Sequence, residues 1–292
     1  IGIAVFPTLD FSKRQIIQNA QKALDHAKFF GPSSLVSFDA VSLNISGDRF
    51  YDNGNIQGAV EEFKKALQLD PSNTNVHNSL GVCYGVQGDL DKALEEFKAA
   101  MTLDTDETLA IFNAGLTSML AGNRDVALEY FLKADDRPET RFEVAVQTGR
   151  LYLEENAPEK SRPYLEKAVG LGRASHTVYA SLGECYTALG MTDEAVTAYK
   201  KAIRLNSNDA ASLSGLGWLY SAQGKNPEIA ALFCKQSVEI APDNGLFRQR
   251  LGRLYLNEDR LQDALQEFQK ATKLGCDATK YIEKVENRLQ EP

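Results

Sequence analysis

The residues best able to hold a metal or attack a substrate in this chain are four cysteines and three histidines, and their spacing argues against both uses. Cys83, Cys185, Cys234 and Cys276 are separated by tens of residues, as are His26, His77 and His176. None forms a CxxC pair or a close Cys/His couple, the spacings that zinc and dithiol chemistry require. They read as buried thiols in a reducing, cytoplasmic compartment. The carboxylate pairs Glu61-Glu62, Glu95-Glu96 and Glu154-Glu155 lie among lysines at helical spacing, as in Glu61 with Lys65. That is the pattern of a solvated helix face, not of an acid/base couple. Gly170-Leu171-Gly172 and Gly215-Leu216-Gly217 have the GxG form, but neither follows a strand, so neither builds a phosphate-binding turn. No catalytic residue, metal or cofactor is expected, and the chain is predicted not to be an enzyme.

The bulk numbers narrow the choice further. A net charge of −8 and a pI near 5.1 offer no basic stripe, so a nucleic-acid partner is not expected. No run of 18 apolar residues exists, so no membrane insertion through a helix is expected. Residues 1–6 are apolar but lack the basic flank and cleavage site of a signal peptide. Beginning at Ile1 instead of Met, the chain reads as a piece of a longer protein.

What remains is positional order. Gly47, Gly81, Gly115, Gly149, Gly183 and Gly217 recur every 34 residues, and Gly252 follows at 35. Three residues after each comes Phe50, Tyr84, Ser118, Tyr152, Tyr186, Tyr220 or Tyr255. Farther on come a small residue (Ala59, Ala93, Ala127, Ser161, Ala195, Ala230, Ala264) and then a larger one (Phe63, Phe97, Phe131, Leu165, Tyr199, Cys234, Phe268). A second small residue (Ala66, Ala100, Ala134, Ala168, Ala202, Ser237, Ala271) follows, and Pro71 and Pro242 close two units. A fixed period of this length marks a repeat array. A mid-helix glycine costs about 1 kcal/mol relative to alanine, so seven persist only where close backbone approach offsets the loss. The expected approach is of the first helix of each unit, helix A, to the small alanines of the second, helix B. A second glycine set (Gly54, Gly88, Gly122, Gly190, Gly224) suits left-handed C-caps, and Asn55, Asp89 and Asn123 suit the N-caps that follow. The fourth unit departs from the pattern with Asn156, Ser161, Pro158 and Pro163, which predicts a late or kinked helix B. The sixth carries one extra residue near Asn226-Pro227-Glu228, which predicts a longer turn.

This pattern resembles the tetratricopeptide-repeat (TPR) family over residues 40–278. The resemblance implies an all-α, right-handed superhelix of seven helix–turn–helix units at 40–73, 74–107, 108–141, 142–175, 176–209, 210–244 and 245–278. Residues 279–292, with Tyr281, Ile282, Val285 and Leu289 at helical spacing, are expected to form a capping helix. The implied function is a protein-interaction scaffold that holds a partner segment in a concave groove lined by helix A. Carried onto this chain, the groove takes Asp48, Tyr51, Asn78, Val82, Leu109, Phe112, Leu116, Met119, Leu120, Val146, Arg150, Leu153, Glu184, Trp218, Gln249 and Arg253. The family's Lys/Asn/Asn/Lys/Arg clamp for a C-terminal carboxylate is not reproduced, since Val82 and Leu116 stand where polar residues belong. The third unit is instead rich in Leu109, Phe112, Leu116, Met119 and Leu120, so a partner segment with apolar residues is expected. The same residues are alternatively packed against the facing helix, and Trp218 is either an anchor for a partner or packing between units.

Residues 1–39 lie outside the repeat. Residues 1–6 and 34–38 have strand character, and residues 12–30 carry Ile16, Ile17, Ala20, Ala23, Leu24, Ala27 and Phe30 on one helical face, stopped by Gly31-Pro32. The strand–helix–strand order, with Ile1-Gly2-Ile3-Ala4, Ala23-Leu24, Ala27-Lys28 and Gly31, resembles the C-terminal end of a GGDEF domain, the family that makes cyclic di-GMP. That resemblance implies Lys28 as a phosphate contact and a regulatory role for the repeats beside a catalytic motif outside this chain. Pro32, Gln21 and Asp25 depart from the family's Arg, Asp and Tyr. The alternative is that the segment caps the repeat array. In either case its apolar stripe must be covered, by the first repeat near Val41 and Ile45 or by a second copy of the chain in a homodimer.

Overall fold

Glycine recurs because a ring sits against it. In the computed structural model, which describes residues 1–135, 141–172 and 174–290, a side chain of helix B lies over each repeat glycine of helix A. A Cβ added at Gly81, Gly115, Gly183 or Gly252 would sit under 3.0 Å from the ring of Phe97, Phe131, Tyr199 or Phe268. Phe63 meets Gly47 in the same way, Leu165 meets Gly149 and the Cys234 sulfur meets Gly217. The close approach therefore differs from the one expected: the ring position of helix B, not its alanines, occupies the space that a Cβ would take. Those large residues are almost fully enclosed, with Phe63, Phe97, Phe131, Leu165, Tyr199 and Phe268 all at 2% exposure or less. In the fifth pair the larger Tyr199 reaches a second glycine, Gly215 of the next helix A, against which its phenol end lies.

The chain divides into two compact units, Ile1–Val144 and Ala145–Pro292. The first opens with strand β1 (Gly2–Ile3), helix α1 (Ile16–Ala27) and strand β2 (Val36–Ser37). Three helix pairs follow: α2 (Ala40–Asp52) with α3 (Ile56–Leu69), α4 (Thr74–Gln87) with α5 (Leu90–Leu103), and α6 (Thr108–Leu120) with α7 (Arg124–Asp135). Helix α8 (Arg141–Glu154) begins at the division between the units and pairs with α9 (Pro158–Gly170). The second unit continues with α10 (His176–Ala188) and α11 (Thr192–Leu205), α12 (Ala210–Gln223) and α13 (Pro227–Ile240), and α14 (Gly245–Asn257) and α15 (Leu261–Lys273). Helix α16 (Thr279–Gln290) ends it. The expected all-α array of seven helix–turn–helix pairs with a capping helix is thus present. Residues 136–140, 173 and 291–292, which fall in the expected third and fourth repeats and the end segment, lie outside the described residues.

Local chemistry sets the element ends. Gly54, Gly88, Gly122, Gly190 and Gly224 all have positive φ, as left-handed C-caps require. Asn55 caps α3 by accepting from the Gly58 N–H at 3.0 Å. Asp89 makes no such bond at α5 and instead takes Lys92 at 2.6 Å. In the fourth pair, helix α9 starts in register with the others. Asn156 takes the left-handed turn that glycine takes elsewhere (φ 55°), and Pro158 occupies the first turn, where its missing N–H costs nothing. Pro163 lies inside α9 on an exposed face, so the carbonyl it leaves without a helical donor can bond water. The buried Ser161 donates its hydroxyl to the Gly149 carbonyl at 2.7 Å, which satisfies the one polar atom it brings to an alanine position. The extra residue of the sixth pair does not lengthen its turn: residues 224–226 are three, as in most other pairs, and α12 instead runs one residue farther past its repeat glycine than most A helices do, with Asn226 at φ 46° before α13.

The N-terminal strands are shorter than expected, two residues each, paired in parallel with Gly2 opposite Val36 and Ile3 opposite Ser37. Helix α1 docks on the first repeat, where Ile45 is half-buried. Val41 stays exposed, and the junction is polar: Asp25 pairs with Arg49, Lys22 with Glu62 at 2.6 Å, and His26 approaches Ser42 at 3.3 Å. Phe11 supplies the apolar part, entering the core beside Ala40, Leu43 and Phe63. At the other end Val285 of α16 is buried against the last pair while Tyr281 stacks on Phe268 at 5.2 Å. Leu289, expected on the same stripe, is exposed.

Candidate partner-binding faces

Side chains on helix A that point away from helix B are the ones a partner can reach, and the two units present different chemistry there. In the first unit the stripe runs over α2, α4 and α6. Asp48 and Asp52 begin it, and Asp48 is raised above the ordinary carboxylate range by burial and by its neighbour Asp52. On α4, Asn78 accepts from the Asn113 amide of α6 at 2.9 Å, which ties adjacent A helices together, and the half-buried Val82 packs against the core. On α6, Leu109 and Leu120 are 52% and 69% exposed, and Leu116 and Met119 are half-buried. Val86, which the sequence reading left out, is 59% exposed at the position of α4 that matches Leu120 of α6. The signal was present: the two residues are one repeat apart. Phe112 differs from its neighbours. Its ring lies 5.7 Å from that of the buried Phe131, so it packs on its own helix pair instead of standing free. Tyr51, also on the expected stripe, packs against the core.

In the second unit the stripe is polar. Arg150, Leu153 and Glu184 line a cavity of about 340 Å³ together with Glu154 and Asp209, and Val146 is half-buried. Asp209 is held at 2.6 Å by the His176 Nδ1. Trp218 is not a free anchor: the Arg253 guanidinium lies 3.7 Å over its ring, and Tyr281 stands 5.0 Å from the same guanidinium. Burial lowers the Arg253 pKa, a trend that the neighbouring Arg250 reinforces and Tyr281 opposes. Gln249 donates to the Asp277 carbonyl at 2.7 Å, so it serves the α14–α16 junction. Lys28 is bound to Asp25 at 2.6 Å. Burial raises the Asp25 pKa, but hydrogen bonds from Lys28 and Arg49 outweigh it and hold the carboxyl below its usual range.

The thiols are inert by environment. Burial pushes Cys83 up to about 11 and Cys234 up to about 12. Among the described residues no group of three or more His, Cys, Asp or Glu is placed to hold a metal ion, and no helix is long and apolar enough to cross a membrane.

Comparison with known proteins agrees with this architecture. Models of the TPR and tetratricopeptide repeats match residues 47–88, 74–107, 183–224 and 247–274. The chain carries tetratricopeptide repeats. No curated protein matches the sequence. Among solved structures, a TPR protein from Parabacteroides merdae is 19% identical with a TM-score of 0.58, covering 84% of this chain and 96% of that one. PilF of Pseudomonas aeruginosa is 21% identical with a TM-score of 0.64, covering 72% and 95%. YrrB, described as a TPR protein with an unusual peptide-binding site, is 22% identical with a TM-score of 0.58, covering 64% and 96%. At these identities the likeness is one of fold.

Proposed function

We propose that this TPR chain is a non-catalytic interaction scaffold whose α4 and α6 faces bind a partner segment bearing apolar residues. The observation that carries the reading is the exposed Val86, Leu109 and Leu120, with Leu116 and Met119 half-buried on the same helix as the two leucines. The cores of these helix pairs are already filled by Phe97 and Phe131, so core packing does not account for the apolar side chains that remain outside. Apolar surface gains about 25 cal/mol per Å² on leaving water, and an amphipathic helix or extended segment laid on such a stripe is a known recognition mode. The fold shared with YrrB, a protein described as having a peptide-binding site, supports a segment as the ligand. The test is selection of peptides from a random display library. Enriched peptides should carry spaced apolar residues and lose binding to the double variant Val86→Glu/Leu120→Glu. Peptides indifferent to that variant would contradict the assignment.

A second reading concerns residues 1–39 and rests on the parallel β1–α1–β2 unit with Ile17, Phe29, Phe30 and Leu35 exposed. We propose that this segment is the end of a GGDEF-like α/β domain whose remaining sheet covers those side chains, with the TPR units as its regulatory part. A gene sequence upstream of Ile1 encoding a GG[DE]EF motif supports it; an unrelated sequence there removes it, and homodimerisation through this segment then becomes the preferred cover, read by light scattering.

A further inference from the structure

The residue immediately before the ring position of helix B follows its own rule. It is Glu62, Glu96, Tyr130, Tyr164, Phe233 and Glu267 in six of the pairs, and Ala198 in the fifth. The large residues are engaged. Glu62 takes Lys22, Glu96 takes His77 at 2.7 Å and Glu267 takes Arg248 at 2.8 Å. Tyr130 and Phe233 pack against their cores, and Tyr164 lies 5.8 Å from the Tyr152 ring. Where Ala198 stands, the fold instead holds a cavity of about 470 Å³ between α9 and α11, floored by α10. That size falls within the range of about 300–1,000 Å³ that side-chain-sized and larger ligands occupy.

The walls define the occupant. Val169, Leu182 and Ala198 give an apolar base, with Tyr179 and Tyr186 beside it. Tyr186 is fixed by donating to Glu166 at 2.8 Å, a carboxylate that Arg162 also holds at 2.8 Å. Lys201 lies over the Tyr179 ring at 5.4 Å. At the rim, Asp193 and Glu194 stand in the first turn of α11, and among the described residues no cation of the chain is bound to either. An aromatic ring fits the base, as rings from the chain itself take the same register in three other pairs, and the two open carboxylates favour a basic neighbour and repel an acidic one.

We propose that this gap is a second binding site, separate from the α4–α6 face, which takes one aromatic side chain of a partner segment flanked by Lys or Arg. The test uses the full chain and three tripeptide amides, acetyl-Lys-Trp-Lys, acetyl-Lys-Ala-Lys and acetyl-Glu-Trp-Glu, followed by the NMR methyl signals of Val169, Leu182 and Ala198. Lys-Trp-Lys should shift these methyls saturably, with the other two at least tenfold weaker. Ala198→Tyr, which supplies the ring that other pairs have, should abolish the shifts at Val169 and Leu182 while leaving the melting temperature equal or higher. Should that variant not fold, Asp193→Asn/Glu194→Gln leaves the cavity intact and should weaken Lys-Trp-Lys several-fold. No shift at millimolar peptide, equal shifts from Lys-Ala-Lys, or unchanged binding by a folded Ala198→Tyr or by the double variant would each overturn the proposal.

Discussion

Helices α6 and α10 occupy the same place in their repeats and meet solvent with opposite chemistry. Both bury their glycine under a ring, Gly115 under Phe131 and Gly183 under Tyr199. Beyond that shared core, α6 exposes Leu109 and Leu120 while α10 exposes Glu184 beside the Arg150 of α8. The lesson is that the repeat pattern fixes how helices meet each other and leaves the outward stripe free to vary. Function is therefore to be sought in the departures from the pattern, not in the pattern.

Three substitutions probe that division. The largest effect should come from the shared core: Phe131→Ala removes a fully enclosed ring and should cost about 3–5 kcal/mol, read as an early denaturant midpoint. Phe112→Ala should cost less, about 1–2 kcal/mol, because its half-buried ring loses contact with Phe131 but opens no sealed cavity. A Phe112→Ala protein as stable as the parent would return Phe112 to the exposed face. Arg253→Ala should cost about 1 kcal/mol through the lost stack on Trp218. The fluorescence of this single tryptophan should change with it; an unchanged spectrum would mean the stack does not form in solution.

At the N-terminus the sign of the acid response is set by Asp25. Its folded pKa is depressed by Lys28 and Arg49 against the opposing effect of burial. The stabilisation is therefore complete above the unfolded value of about 3.9 and fades as pH falls through the lower folded value. Asp25→Asn should remove this part of the acid response of the α1–α2 junction, seen as faster amide exchange in α1 at neutral pH with little further change on acidification. An exchange profile that still steepens below pH 4 as in the parent would place the response elsewhere.

Much of this architecture is legible in the residues alone. A glycine column at 34 residues announces close approach, and positive-φ glycines announce helix ends, because only backbone without a Cβ tolerates either. The column does not say which neighbour comes close, and the expected alanines gave way to the Phe63, Phe97 and Phe131 rings. The fourth pair's second helix was expected late because Pro158 was judged by type, whereas it lies in the first turn, where its missing N–H costs nothing, and α9 starts in register with Pro163 inside it. Phe112 was assigned to the outward stripe and shares its helical face with Leu109, Leu116 and Leu120, but it stands at the edge nearest Gly115, and its ring turns toward the Phe131 that covers that glycine. Ala198 carried no signal as a buried alanine; it becomes informative only beside the large residues that hold the same register in the other pairs.

We propose the apolar stripe on α4 and α6 as the surface that captures a partner segment. Leu120→Glu and Val86→Glu alter exposed side chains, so together they should shift folding stability by less than about 1 kcal/mol. Calorimetric titration of a display-selected peptide into this double variant and into Arg150→Glu/Glu184→Lys is the direct measurement. Binding to the first should be at least tenfold weaker, and affinity for the second should stay within about twofold of the parent. Unchanged affinity for Val86→Glu/Leu120→Glu, or loss confined to Arg150→Glu/Glu184→Lys, would contradict it.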